Sequence, residues 1–294
     1  MPAFRNEHGS VVFAERRHLG GSVASLLLPC GQCIGCRLER SRMWAVRCLH
    51  ECSMHSSNCF ITLTYRREVV PSGLQYRDFQ LFMKRLRRRF FSPVRFYMCG
   101  EYGELDDGNI DFDHPHFHAL LFGFDFPDKV LFKTVRGNKL YRSPLLEELW
   151  PYGFSSIGDA NFETAAYVAR YCMKKVTGDR ADSYYVHPDT GEVMLPEFNH
   201  MSLKPGIGAG WIDKWTSDVY PSGMVVVNGV ETMPPKYYDK RVFKSDPLTM
   251  EQVYFEREVE GRSRFLDSTD ERLKVREQVA HARVKSLKRP LRGN

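Results

Sequence analysis

Apolar positions along the chain follow two spacings, and the changes from one to the other mark out its elements. Phe60–Tyr65 (FITLTY) is dense in β-branched and aromatic residues and predicts a strand. From Asp78 onward, Phe79, Phe82, Met83, Leu86 and Phe90 recur at helical spacing, and the other side of that helix carries Lys84, Arg85, Arg87, Arg88 and Arg89. Two further strands, VRFYMCGEYG (94–103) and HFHALLFG (116–123), flank the acidic segment ELDDGNIDFDHP. Their order suits an antiparallel hairpin with a long loop. Helices are also predicted over Arg37–Ser53 and over Phe162–Val176, the second stopped near Gly178. From Tyr220 the pattern gives way to a Pro/Gly-punctuated connector and then a charged helical tail.

These elements predict an α+β fold, a central antiparallel sheet with flanking helices, followed by a basic C-terminal tail. The expected divisions are an N-terminal segment (1–59), a core (60–215), and a connector with tail (216–294). A hydrophobic content of 43% over 294 residues is enough for a generous core. No run approaches the roughly 18 apolar residues of a spanning helix, and the first ten residues lack the order of a secretory signal, so no membrane association is expected. Eight cysteines in a chain of this size suit a reducing cytoplasm better than a disulfide framework.

Net charge changes the picture through its location. The last 24 residues hold eight Lys/Arg against two Glu, which is the whole formal charge of +6. The tail therefore reads either as a phosphate-binding arm or as a solvated surface helix.

Candidate chemistry centres on His116 and His118, two apart on a strand and so directed to one face. Antiparallel pairing would bring Glu101 level with them, completing a two-His, one-carboxylate set suited to Mg²⁺ or Mn²⁺, with Glu104 in reserve. His114 reads as loop, because Pro115 interrupts the strand. On the helix after residue 162, Tyr167 and Tyr171 are four apart and share a face bordered by Arg170 and Lys174. A phenol with a reference pKa near 10 needs nearby positive charge to act as a nucleophile, and a metal and Lys174 would both supply it. The bland readings are local hydrogen bonding for the histidines and core packing for the tyrosines. Cys30, Cys33 and Cys36 form a C-x-x-C-x-x-C cluster that reads either as a structural zinc site, with a fourth ligand from Cys48, Cys52, His50 or His55, or as reduced thiols. SLKPGIGAGW (202–211) reads as a turn and not as a P-loop.

The ordered motifs PCGQCIGCRLERSRMWAVRC, FITLTY, LQYRDFQLFMKRLRRRF, CGEYGE, HPHFHALLFG, AAYVARYCMKK, SLKPGIGAGW and PKYYDK span most of residues 29–240. In them the chain resembles the HUH endonuclease superfamily, and within it the replication initiators of gokushoviruses, small single-stranded DNA microviruses of bacteria. The resemblance implies a sheet with helices on its faces, metal ligands at His116, His118 and Glu101, and nucleophiles at Tyr167 and Tyr171. It also implies a rolling-circle nickase that acts on a viral origin hairpin in the bacterial host cytoplasm, with host helicase and DNA polymerase as partners. Two rivals remain at this level. One is an Fe(II)-dependent oxygenase drawing a third histidine from His187 or His200. The other is a non-catalytic protein in which the basic helix Lys84–Arg89 and the tail hold DNA or RNA, whereas in the nickase reading the expected DNA-binding residues are Lys84, Arg85, Arg87, Arg88 and Arg170.

Overall fold

The computed structural model describes residues 2–5, 11–13, 25–27, 29–105, 109–135, 137–174 and 181–286. Strands β1 (Pro2–Arg5), β2 (Val11–Phe13) and β3 (Ser25–Leu27) form a small antiparallel sheet. Helix α1 (Ile34–Ser53) precedes β4 (Asn58–Tyr65), α2 (Tyr76–Phe90), β5 (Arg95–Glu104) and β6 (Ile110–Phe122). Then come β7 (Val130–Val135), β8 (Asn138–Arg142), α3 (Pro144–Leu149), β9 (Gly153–Asp159) and α4 (Phe162–Lys174). Short α5 (Ala181–Tyr184), β10 (Phe198–Met201), α6 (Ala209–Lys214) and α7 (Thr216–Val219) lead to the hairpin of β11 (Val225–Val227) and β12 (Val230–Thr232). Helices α8 (Lys236–Ser245), α9 (Pro247–Ser263) and α10 (Asp270–Ser286) follow.

The fold is α+β. Its main sheet has seven strands in the order β10-β5-β6-β4-β9-β8-β7, every neighbouring pair antiparallel. Alternation along β6 separates the two faces. Phe117, Ala119 and Leu121 join Ile61 and Leu63 of β4 under the stripe of α2 (Phe79, Phe82, Met83, Leu86), and Trp150 is sealed in the same cluster. Burial of each such large side chain contributes roughly 1.5–3 kcal/mol. On the other face, Leu120 and Phe122 pack with Phe60, Tyr97 and the inner sides of α1 and α4. The buried faces of those two helices are built from small residues, Ser41, Ala45 and Cys48 against Ala165, Val168 and Ala169, so they lie close together.

Three sequence expectations are corrected. Asp78 does not start α2, which begins at Tyr76; the Asp78 carboxylate accepts the Tyr65 hydroxyl at 2.7 Å. The loop between β5 and β6 is short, since the strands run to Glu104 and from Ile110. The region from Tyr220 is more than a connector. Val225 and Val227, Tyr238 and Val242 of α8, and Met250 and Val253 of α9 form a third cluster against Val46 on the outer side of α1. Within that layer the ring of His50 stacks on Trp211 with centroids 3.5 Å apart, and burial pushes its pKa down to about 4. The basic tail is helical through Ser286, and Lys288, Arg289 and Arg292 lie outside the described residues.

One buried charge ties the layers together. Glu51 near the end of α1 accepts from Arg95 Nε of β5 at 2.6 Å and from the backbone N–H of Gly208 at 2.7 Å. The SLKPGIGAGW segment thus docks on α1 as a turn. Gly208 there has φ +78 and packs so tightly that an added Cβ would sit 2.5 Å from the Tyr238 hydroxyl. Replacing Glu51 with Ala strands a half-buried guanidinium and should lower stability by about 3 kcal/mol, a melting-point drop of roughly 6–12 °C measurable by thermal denaturation.

Candidate metal and tyrosine site

Antiparallel pairing of β5 with β6 sets Glu101 opposite His116, and Thr64 of β4 flanks His116 on its other side. Between Glu101 and Gly103 the register jumps, so that Gly103 pairs with Asp111. The residues of β6 between the two pairings bulge, and Pro115 falls among them. A proline is tolerated where the ladder is already interrupted. His114 therefore belongs to β6 and not to a loop. Its exposed ring is bonded to Asp111, while its backbone carbonyl accepts from Nδ1 of His116 at 3.0 Å.

That last bond sets the chemistry of His116. With Nδ1–H given to a carbonyl, Nε2 faces Glu101 Oε1 at 2.8 Å. A lone pair and a carboxylate at this distance require a proton or a cation between them. His118 is oriented in the same way, its Nδ1 meeting the Thr62 hydroxyl at 2.9 Å and its Nε2 lying 3.7 Å from Glu101 Oε1. The donor atoms of Glu101, His116 and His118 all lie within 4.8 Å of one another. Glu101 is 4% exposed, and among the described residues its second oxygen, Oε2, is buried with no hydrogen-bond partner. Burial alone would raise the Glu101 carboxyl, but the adjacent imidazoles of His116 and then His118 hold it well below the usual carboxylate range. Two oriented imidazoles, an ionised carboxylate and an orphaned oxygen fit a divalent cation. Glu104 ends β5 beyond the bulge and is not part of the set.

Helix α4 brings the tyrosine. Asn161 and Thr164 cap its start reciprocally, with the Thr164 N–H donating to Asn161 Oδ1 and the Asn161 N–H to Thr164 Oγ1, both at 2.9 Å. The apolar side of α4 then seats Tyr167 edge-on against His118 and Phe60, with centroids 5.1 and 6.1 Å away. The Tyr167 hydroxyl lies 3.4 Å from His118 Nε2. Imidazole pair, carboxylate and phenol thus converge from three elements, two consecutive strands and a helix whose tyrosine lies 49 residues beyond His118. Arg170 is half-buried on the same helix. The backbone of Tyr171 and Lys174 completes α4, but their side chains lie outside the described residues.

Other candidates lie elsewhere. Lys84, Arg85, Arg87 and Arg88 are on α2, across the sheet from the triad, and two of them are engaged locally. Arg85 Nε donates to the Leu149 carbonyl at 2.9 Å, and Arg87 Nη2 to that of Val94 at 2.7 Å. His200 lies on β10, where it stacks on Tyr76 of α2 at 3.9 Å; His187 packs near Phe112 with Nε2 3.5 Å from Asp113. Neither joins the triad.

The sulfurs of Cys30, Cys33 and Cys36 form a second convergent group at the start of α1. Cys30 Sγ lies 3.9 Å from Cys36 Sγ and accepts from the backbone N–H of Cys33 at 3.2 Å and of Gln32 at 3.4 Å. Those backbone donors, Cys33 first, bring the Cys30 thiol down to about 7. The fourth ligands expected from sequence do not reach this group. His50, Cys52 and His55 are at the opposite end of the helix, and Cys48 is sealed in the core, facing Phe60 and Val168.

The family described as replication-associated protein ORF2/G2P matches residues 58–176, the stretch from β4 to α4 that carries both triad and Tyr167. Replication-associated protein VP4 of Bdellovibrio phage phiMH2K is 33% identical over 253 residues, covering 82% of this chain and 75% of that protein. Replication-associated protein ORF2 of Spiroplasma virus 4 is 29% identical over 73% of this chain and 67% of its own length. Replication-associated protein ORF4 of Chlamydia phage 1 is 33% identical over 54% of this chain and 41% of its own. No solved structure gives a significant match.

Proposed function

Since this chain belongs to the replication-associated protein ORF2/G2P family, we propose that it initiates rolling-circle replication by nicking one strand of a viral origin, exposed as single-stranded or hairpin DNA. The observation that carries this reading is the Tyr167 hydroxyl 3.4 Å from a histidine of the Glu101–His116–His118 set. Tyr167 Oη attacks phosphorus, the bond from phosphorus to the 3′ oxygen breaks, and that oxygen takes up a proton in place of the one the phenol has lost. The products are a 5′-phosphotyrosine and a free 3′-hydroxyl that a host polymerase extends while a host helicase opens the duplex. Tyr171, one turn along α4, supplies a second phenol for the later cleavage, and the 3′-hydroxyl rejoins the strand by the reverse attack.

Glu101, His116 and His118 would hold Mg²⁺ or Mn²⁺, which when bound supplies Lewis-acid polarisation of a phosphoryl oxygen. His114 and Thr62 keep both imidazoles turned for that purpose. Lys174 and Arg170, on the same helix, bring positive charge to the phosphate, and the basic tail adds salt-sensitive affinity. Among the described residues no helix is long and apolar enough to cross a membrane.

The cysteine group is read as a zinc site with thiolates from Cys30, Cys33 and Cys36, its fourth ligand coming from none of the candidates named from sequence. With Zn–S near 2.3 Å, a tetrahedral edge is about 3.8 Å, close to the 3.9 Å between Cys30 and Cys36 sulfurs. Elemental analysis of the purified protein should find about one zinc per chain, and Cys33→Ser should lose it with a lower melting temperature. A zinc-free wild-type protein would remove the assignment.

The nicking reading is tested by incubating the protein with labelled single-stranded DNA and Mn²⁺, denaturing it, and looking for label on the protein band. Capture that is abolished by EDTA is expected. DNA binding without any capture would leave only a binding protein.

A further inference from the structure

The triad's row continues across the sheet beyond the histidines. Glu101 pairs with His116, His116 with Thr64, and Thr64 with Phe154 of β9, so four side chains on adjacent strands stand on one face. Two strand spacings, about 10 Å, separate the His116 and Phe154 backbones. Phe154 is 63% exposed there.

The surface goes on in the same character. Leu140 of β8 meets Gly158 and Phe60 on this face, which brings Arg142, two residues on, to the same side. Arg142 lies 5.6 Å and Lys133 5.9 Å from the exposed ring of Phe132 on β7. Glu147 pairs with Arg142 at its edge. The outer wing of the sheet therefore presents two solvent-facing aromatic rings with cations beside the outer one, in line with the triad. Large exposed rings interleaved with cations match the chemistry of unpaired nucleic acid, whose bases stack on aromatics while its phosphates meet Lys and Arg.

We propose that this wing is the track of the single strand, and that Phe154 is a base-stacking platform for a nucleotide flanking the attacked phosphate. The placement relative to that phosphate rests on the nicking reading; the platform itself does not. Phe154 is a positioning residue, and it acts by fixing a base so that the adjacent phosphate stays at the triad and Tyr167.

The test uses the full chain in EDTA, where binding is separated from cleavage, with a mixed-sequence single-stranded oligonucleotide carrying 2-aminopurine at alternating positions. Wild type should quench 2-aminopurine fluorescence. Phe154→Ala should lose most of the quenching and bind about ten-fold more weakly, Phe154→Trp should retain both, and Phe154→Leu should behave like Ala. Because the ring is exposed, the melting temperature of each variant should stay within about 2 °C of wild type. Unchanged affinity and quenching in Phe154→Ala would overturn the platform, as would full recovery by Leu, which would point to an apolar protein partner instead. If quenching depends on Phe154 but wild type captures no DNA with Mn²⁺, the platform stands and the nicking reading falls.

Discussion

Changing Tyr167 to Phe should reduce covalent capture of a single-stranded oligonucleotide by at least about 10³-fold, because it removes the hydroxyl that lies beside the triad. The ring itself would stay in place, since its edge contacts with His118 and Phe60 do not involve the hydroxyl. Affinity for uncleaved DNA, measured by anisotropy in EDTA, should therefore change little. The double change Tyr167→Phe with Tyr171→Phe removes any residual product made by the second phenol. Undiminished capture by the double variant would show that another group is the nucleophile.

Loss of the triad carboxylate should have the next largest effect. Glu101→Gln keeps the volume but removes the charge that two imidazoles face, and it should weaken Mn²⁺ binding by at least about 100-fold in a calorimetric titration, with capture falling in parallel. Proton linkage gives an independent check. In the metal-free protein the contact between His116 Nε2 and Glu101 needs a shared proton, because Nδ1–H is already given to the His114 carbonyl. An incoming cation displaces that proton, so apparent Mn²⁺ affinity should fall on acidification. Affinity that does not fall on acidification would contradict this arrangement, as would wild-type metal binding by Glu101→Gln.

The parts of this site that were legible in the sequence are those fixed by local periodicity. His116 and His118 share a face because a strand has period two, and Glu101 reaches them because an antiparallel hairpin fixes the partner row. The meeting of Tyr167 with His118 depends on how a helix docks on the sheet, which no spacing encodes. Charge was legible in amount but not in side. Arg85 and Arg87 looked like a phosphate-binding face, yet α2 lies across the sheet and both side chains donate to backbone carbonyls. Pro115 misled because a proline ends a regular strand, whereas here it sits in a bulge with fewer ladder partners to lose. The third cluster was hidden because Val225, Val227, Tyr238, Val242 and Met250 are distributed over a short strand and two helices with no common period.

The close seating of α4 on α1 has a mechanical corollary. Four residues separate the two phenol-bearing positions, about 6 Å of helix axis, and small buried side chains such as Ala165 and Ala169 leave that helix little freedom to slide. In the proposed cycle the second cut must therefore come from the nucleic acid advancing over a stationary comb of hydroxyls, with the enzyme as the anvil and the strand as the moving part.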